Sequence, residues 1–354
     1  MILAISYTKG DYILRKIGVI FLSFIITFSC IIFNVTTVSA AGKPTVIVID
    51  PGHGGSNMGT EYLQIPEKQY NMTVALYMKQ ELEKYNNVKV YLTHTADVDM
   101  SLKERAQFAK NVNADFLFSL HFNMSSDHTL YGSEVWIPSS GTYYSKGYSA
   151  GYEFLKGFSE MGIFDRGIKT RVGKTDHDYY GIIRQNVERG IPAIIVEHCH
   201  VDNPNDAVNL VSDEKLREFG KKDAEAVARY FSLPAKDSSA VDYSNYAPLA
   251  IPVPASRVYQ DATAPVYVNA SLISYDKNTK YASFRLSALD QESYLQYYSY
   301  SLDNGITWSA YQPWLAGSNN MTVKIKVNSA QRFPVLFRVS NQYDKFTDSN
   351  PVTL

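Results

Sequence analysis

The chain has 354 residues, 45% of them hydrophobic and 19% charged, with a formal net charge of −1. That length suits two globular domains, and that mix can bury their cores. The charge balance supplies no general electrostatic pull toward nucleic acid, which is therefore not an expected partner.

At the start, Lys9, Arg15 and Lys16 precede an apolar run from Ile17 to Phe33, and "NVTTVSAAGKP" follows. Val38 and Ala40 form a small-residue cleavage pattern, so residues 1–40 read as a secretory signal peptide cut after Ala40. The apolar run approaches the ~18 residues of a spanning helix, so an uncleaved membrane anchor is the alternative. Cys30 sits in that run without the small residues a lipoprotein site needs. Cleavage would remove three positive charges and one negative, taking the net from −1 to −3. It would leave a single cysteine, Cys199, and therefore no internal disulfide. Stability must then come from burial. Such cysteine poverty suits export through a Gram-positive envelope. The expected location is secreted or wall-associated, with no stable membrane span after cleavage; the oligomeric state is not legible.

From Lys43 to about Leu233, strand-like and helix-like segments alternate. Val46–Asp50 is a fully apolar run closed by Pro51. Glu67–Tyr85 is helical, with Val74, Met78 and Leu82 on one face. Val88–Thr93 is a strand, and Ser101–Asn111 is a helix with Ser101 and Glu104 placed as a capping box. Phe116–Phe122 and Gly132–Ile137 are strands, Lys146–Met161 is a helix, Ala193–Glu197 is a strand and Glu214–Phe231 a closing helix. This alternation predicts an α/β/α fold, a twisted, mostly parallel sheet between helices, over residues 41–233. Residues 234–262, with Pro248, Pro252 and Pro254, read as an extended linker. Residues 263–354 carry short alternating segments and a tight-turn signal at Asp303-Asn304-Gly305, as in a small all-β sandwich.

All seven histidines precede residue 201, so any histidine chemistry belongs to the first domain. His53 follows the first strand in "VIVIDPGHGG", walled in by glycines. Glu67 opens a helix after Pro66 in "IPEKQYN". His121 lies at the end of a strand in "FSLHFN", and Glu197 ends another in "IIVEHCH". In an open α/β sheet, ligands bind beyond the carboxyl ends of the strands, where these four can converge. Two histidines and a glutamate are a zinc donor set that leaves one position for water. Zinc brings that water's pKa toward ~7 and polarises a carbonyl. A second glutamate beside it, Glu197, suits the proton shuttle between water and leaving group. Taken singly, each residue has a plain structural explanation: a loop histidine, a helix-start carboxylate, a turn cap. Taken together those explanations weaken, because Glu197 and His121 sit in very apolar strands, where unpartnered polar groups are costly.

The segments "VIVIDPGHGG", "EKQYN", "ADFLFSLHFN" and "IPAIIVEHCHVDNPND", in that order from Thr45 to about Phe231, resemble the zinc-dependent N-acetylmuramoyl-L-alanine amidases. The resemblance implies one zinc ion on His53, Glu67 and His121, and Glu197 as the catalytic glutamate. It implies peptidoglycan as substrate, cut between the lactyl group of muramic acid and L-alanine. The family often has arginine at the position of His94 and "ExGF" where this chain has "EHCH", which makes His198 and His200 unusual. Glu134 in "GSEVWI" is a candidate for orienting a ligand, and Arg184 in "GIIRQN" for pairing with a substrate carboxylate; an ordinary salt bridge explains each equally well. Cys199 reads as a small packed residue.

The C-terminal segment resembles immunoglobulin-like or fibronectin-type modules of bacterial surface enzymes. Its aromatics (Tyr294, Tyr297, Tyr298, Tyr300, Trp308, Tyr311 and Trp314) either fill a sandwich core or stack on sugars. Three functions fit the whole pattern: a peptidoglycan amidase, another zinc peptidase or deacetylase of wall polymers, and a non-catalytic wall binder. The intact set His53, Glu67, His121 and Glu197 favours the first two.

Overall fold

The structure, a computed structural model, describes residues 43–62, 64–327 and 333–354. The expected signal segment, residues 1–40, lies outside the described residues. Among those described, no helix is long and apolar enough to cross a membrane.

The first part holds strands β1 (Thr45–Pro51), β2 (Glu61–Tyr62), β3 (Ile65–Pro66), β4 (Val88–Leu92), β5 (Phe116–Asn123), β6 (Ser133–Trp136), β7 (Asp165–Lys169) and β8 (Ala193–His200). Six of them form one sheet in the order β4-β1-β5-β8-β6-β7. The first four of that order run parallel, β6 is antiparallel to β8, and β7 is parallel to β6. Strands β2 and β3 pair separately, just before the first helix.

Two-residue periodicity divides the sheet's side chains between two cores. Ile47, Ile49, Phe118 and Val196 face one side, under the helices Glu67–Leu82, Gly141–Glu160 and Asp213–Tyr230. Val48, Leu117 and Ile195 face the other, under the helices Leu102–Asn111 and Gly181–Val187. Apolar residues on both faces explain why these strands read as continuous hydrophobic runs. On the second side, the alternating series turns polar toward the carboxyl edge of β5 and β8. Leu117 is followed by Ser119 and His121, and Ile195 by Glu197. The register pairs His121 with Glu197 and Glu197 with Glu134. The same periodicity that builds the core thus lines a polar row across three strands.

The helix over residues 102–111 carries the expected capping box between Ser101 and Glu104, worth about 1 kcal/mol. Other elements depart from expectation. The helix at Gly141 begins five residues before Lys146, because Tyr144 continues its packed face. Strand β8 runs on to His200, so Glu197 lies inside it. The cause is His198, which continues the alternation into the first core, stacked on Phe122 at 4.8 Å. Strand β7, "DRGIK", and the helix Gly181–Val187 had no sequence signal, being short and carrying glycine or charge where a pattern would show.

The C-terminal part contains β9 (Tyr267–Asp276), β10 (Tyr281–Leu289), β11 (Leu295–Ser301), β12 (Gln312–Pro313), β13 (Asn320–Lys326), β14 (Leu336–Asn341) and β15 (Phe346–Asp348). They form two antiparallel sheets, β13-β10-β9 and β12-β11-β14-β15. Phe284 of one meets Phe337 of the other with ring centroids 5.0 Å apart. Between the two parts, residues 236–264 contain no helix or strand. They are nonetheless fastened down. Tyr246 donates to Glu153, Ser145 donates to the Pro252 carbonyl, and the Val258 amide donates to the Ser139 carbonyl.

The β module packs on edge strand β7. Gln342 Nε2 donates to the Ile168 carbonyl (2.9 Å), and the Thr170 amide donates to Tyr343 Oη (3.1 Å). Arg166 is buried at this junction. Its Nε donates to Glu134 Oε2 (2.8 Å), Nη1 to Tyr297 Oη (3.2 Å) and Nη2 to Asp344 Oδ2 (2.9 Å). Lys169 Nζ, also buried, lies 2.6 Å from the same Glu134 oxygen. Buried charges of this kind tolerate poorly the loss of one partner. Arg166→Met is expected to lower unfolding free energy by about 3 kcal/mol in urea titration. Arg166→Met combined with Glu134→Gln should lose less than the sum of the two single changes.

Candidate metal centre

The side chains of His53, Glu67 and His121 converge, each offering one donor atom, with those atoms within 4.8 Å of one another. His53 Nε2 lies 3.0 Å from Glu67 Oε2, and His121 Nδ1 lies 2.9 Å from Glu67 Oε1. The two imidazoles meet edge-on, with centroids 4.9 Å apart. Each position follows from local structure. Glu67 is the first residue of its helix, where exposed amides and the dipole favour a carboxylate. It is buried, and also accepts from the amides of Thr60 (2.9 Å) and Phe122 (3.2 Å). His53 takes a left-handed backbone, φ 68°, unusual for a residue with a Cβ. Arg105 holds it there by donating from Nη2 to the His53 carbonyl (2.6 Å), while Asn57 Oδ1 faces Nδ1 at 3.0 Å.

The flanking glycines make room for this geometry. A Cβ on Gly52 would sit 2.2 Å from the His121 ring. A Cβ on Gly59, whose φ is +73°, would meet Glu67 Oε2 at 2.5 Å and His53 Cδ2 at 2.6 Å.

Sequence reading did not find the layer behind the donors. Asp50, the last residue of β1 before Pro51, is buried and paired with Arg105 Nη1 (2.8 Å). It accepts from Thr93 Oγ1 (2.6 Å) and Ser119 Oγ (2.8 Å), and Ser119 Oγ stands 3.2 Å from His121 Nε2. One chain of contacts therefore runs from Arg105 through Asp50 and Ser119 to the His121 ring, orienting it from behind. A charged residue closing an apolar strand was the available signal.

Glu197 stands beside the cluster, in register with His121. Its Oε2 is buried and has no hydrogen-bond partner. Burial, then the negative charges of Glu67 and Glu134, push its carboxyl well above the usual range. Glu67 goes the other way. Burial disfavours its charge, but hydrogen bonds to His121 and His53 outweigh that and bring it far below the usual range. Two carboxyls so separated suit different tasks, one a standing anion and the other a proton carrier. Glu134 is fully engaged. Its Oε1 accepts from Trp136 Nε1 (3.0 Å) and Asn123 Nδ2 (3.2 Å), and its Oε2 faces Arg166 and Lys169.

The remaining sequence candidates stand outside the donor cluster itself. Arg184 Nη1 donates to the carbonyls of Asp178 (2.6 Å) and Tyr179 (3.1 Å), bracing the loop that leads to Tyr180. His198 bridges the His121 carbonyl (2.8 Å) and Asp223 Oδ2 (2.9 Å) within the aromatic core. His200 is buried against the Gly132 carbonyl (3.1 Å). His94 is buried next to Thr93 Oγ1 at 3.1 Å. Cys199 is buried and free.

A cluster of three metal-type donors beside an unpaired carboxylate, at the carboxyl edge of an α/β sheet, is the arrangement of a hydrolase. The sequence profile of the N-acetylmuramoyl-L-alanine amidase family matches residues 47–229, more than half of the chain. The chain belongs to that family and is an enzyme of that class. It is 32% identical over 197 residues to the N-acetylmuramoyl-L-alanine amidase CwlM of Bacillus licheniformis, covering 55% of this chain and 72% of the relative. It is 30% identical over 198 residues to a sporulation-specific N-acetylmuramoyl-L-alanine amidase of Bacillus subtilis, covering 54% and 71%. Among solved structures, Cwp6 from Clostridium difficile aligns at 30% identity and a TM-score of 0.49, over 52% of this chain and 29% of that one.

Two outcomes follow from this geometry. Gly52→Ala should displace the His121 ring and weaken metal retention by roughly 10–100-fold, read as metal content after dialysis against a weak chelator. His200 supplies a pH test. Burial, then Arg166, pushes its pKa down to about 3. Between that value and the ordinary histidine pKa near 6.5, the unfolded chain binds a proton that the folded one refuses. Stability is therefore lost as pH falls through that window. His200→Gln should make the urea midpoint fall less steeply between roughly pH 6.5 and pH 4.5.

Proposed function

We propose that the protein is a secreted zinc hydrolase of peptidoglycan, cleaving the amide between N-acetylmuramic acid and L-alanine. The convergence of His53, Glu67 and His121 beside the unpaired Glu197 carries this reading. Two imidazoles and one carboxylate match zinc in donor type and number, with a position left for water. They would hold a single ion, which when bound supplies Lewis acidity toward the attacking water and the scissile carbonyl.

The chain's own part is positional and protonic. Glu197 Oε2 accepts the proton from the attacking water as its oxygen bonds to the carbonyl carbon. The same carboxyl then gives that proton to the alanine nitrogen as the C–N bond breaks. Glu134, clamped by Arg166 and Lys169, holds the neighbouring strand position and fixes the charge that Glu197 faces. Arg184 Nη1 is tied to loop carbonyls, and the rest of its fork is assigned to a carboxylate of the stem peptide.

Residues 41–233 would be the catalytic domain, 234–262 the connection and 263–354 an immunoglobulin- or fibronectin-like module. Residues 1–40 would direct export and be removed. On this reading it acts in a bacterial wall, that of a Gram-positive cell, and the amidase names of its relatives support the wall as its place of action.

The test is digestion of purified peptidoglycan by the zinc-loaded protein, scored for new N-terminal alanine with and without chelator. Chelator-sensitive release is expected. Release of other end groups, such as free amino sugars or internal peptide termini, would move the site to a deacetylase or peptidase. Glu197→Gln should retain one zinc per chain while kcat falls by about 10²–10⁴-fold; loss of metal in that variant would make Glu197 a ligand instead.

A further inference from the structure

Between the helix Gly141–Glu160 and the β module lies a cleft of about 950 Å³, which Tyr259 of the connecting stretch also lines. Tyr144, Tyr148 and Tyr152 line one wall, at i, i+4 and i+8 along the helix. Tyr294 and Tyr343 of the β module line the other. Tyr144 and Tyr148 also touch the core beneath the helix, whereas Tyr152 and Tyr294 do not fill a core. Tyr152 is 43% exposed and Tyr294 69% exposed, and Tyr144, Tyr148 and Tyr343 are half-buried. Four residues of helix rise about 6 Å, close to the length that one pyranose adds to an extended β-linked chain. Carboxylates of Asp165 and Glu292 lie among the rings.

We infer that this cleft binds a glycan strand, a polymer of β-linked amino sugars that carries no charge of its own while its lactyl groups are still amides. The C–H faces of the sugars would lie on the tyrosine rings, and their hydroxyl and acetamido N–H groups would donate to the carboxylates and ring oxygens. That the polymer is the glycan of peptidoglycan rests on the amidase reading above. Two observations favour this occupant. Tyrosine rings line both walls among aliphatic side chains such as Leu155, Ile168 and Leu295, which suits a surface both apolar and hydroxylated. Asp165, Asp261 and Glu292 outnumber Lys156 along the cleft, which opposes an anionic wall polymer. One wall comes from beyond residue 229, where the family match ends, so the second module would add hold on the polymer rather than chemistry.

The probe is a peptide-free tetramer of β-linked N-acetylglucosamine, titrated calorimetrically into the purified chain. It contains no amide to a peptide, so binding is read apart from turnover. Binding is expected, and Tyr152→Ala and Tyr294→Ala, one on each wall, should each weaken it roughly tenfold. Both side chains are exposed enough that the melting temperature should hold. Tyr281→Ala, exposed on β10 and outside the cleft, should change nothing. Failure of the parent chain to bind, equal affinity in both wall variants, or an equal loss in Tyr281→Ala would overturn the assignment. So would tighter binding of poly(glycerol phosphate) with the same dependence on Tyr152 and Tyr294. Alanine release measured on the same preparation separates the two readings. Release without tetramer binding removes the cleft and keeps the amidase; binding without release does the reverse.

Discussion

Glu67 is a carboxylate taken out of water and placed between two imidazoles, and the geometry of the site depends on that contact. A buried anion without partners would cost several kcal/mol. Here the His53 and His121 rings, two backbone amides and the start of a helix all favour its charge. The demand reaches outward. His53 must adopt a left-handed backbone to reach it, Arg105 must hold the His53 carbonyl, and Gly52 and Gly59 must lack a Cβ. The glycine-walled histidine of the first strand thus has a physical cause: bulk on those glycines would occupy the space where the rings and the carboxylate meet.

The second constraint is the two-residue period of the sheet. It buries Val48, Leu117 and Ile195 on one face, then on the same face sets out Ser119, His121, Glu197 and Glu134. Reactive groups are therefore placed by backbone pairing, with no flexible loop between them and the core. The orienting layer of Asp50, Arg105 and Ser119 sits under that row and restricts the rings further. Pre-organisation of this kind is what a hydrolytic site requires, since misplaced donors forfeit most of their effect.

The β module is bound to this apparatus by charge as well as by shape. Arg166 pairs with Glu134 on one side and with Tyr297 and Asp344 on the other, so one buried guanidinium joins the six-stranded sheet to the β module. The module's aromatics divide accordingly. Tyr297 and Trp314 are buried, while Tyr294 faces the cleft. No two-residue pattern could have sorted them, because their surroundings come from the helix Gly141–Glu160 as much as from their own sheets.

What the sequence determined by itself was whatever rests on local periodicity and on residue type. The buried strands, the alternation into an α/β sheet, the capping box at Ser101, the antiparallel strands of the second part and the candidate set His53, Glu67, His121 and Glu197 were all legible. Strands and helices announce themselves through spacing, and histidines or carboxylates in apolar runs stand out because their burial is costly. Tertiary structure alone decided that β8 continues past Glu197, that His198 and His200 pack inside, and that β7 exists at all. It also decided that Arg105, Asp50 and Ser119 stand behind His121, and that Arg166 finds partners more than 100 residues away. Those outcomes depend on which chain segments meet, and contacts between segments distant in sequence leave no periodic mark on either one.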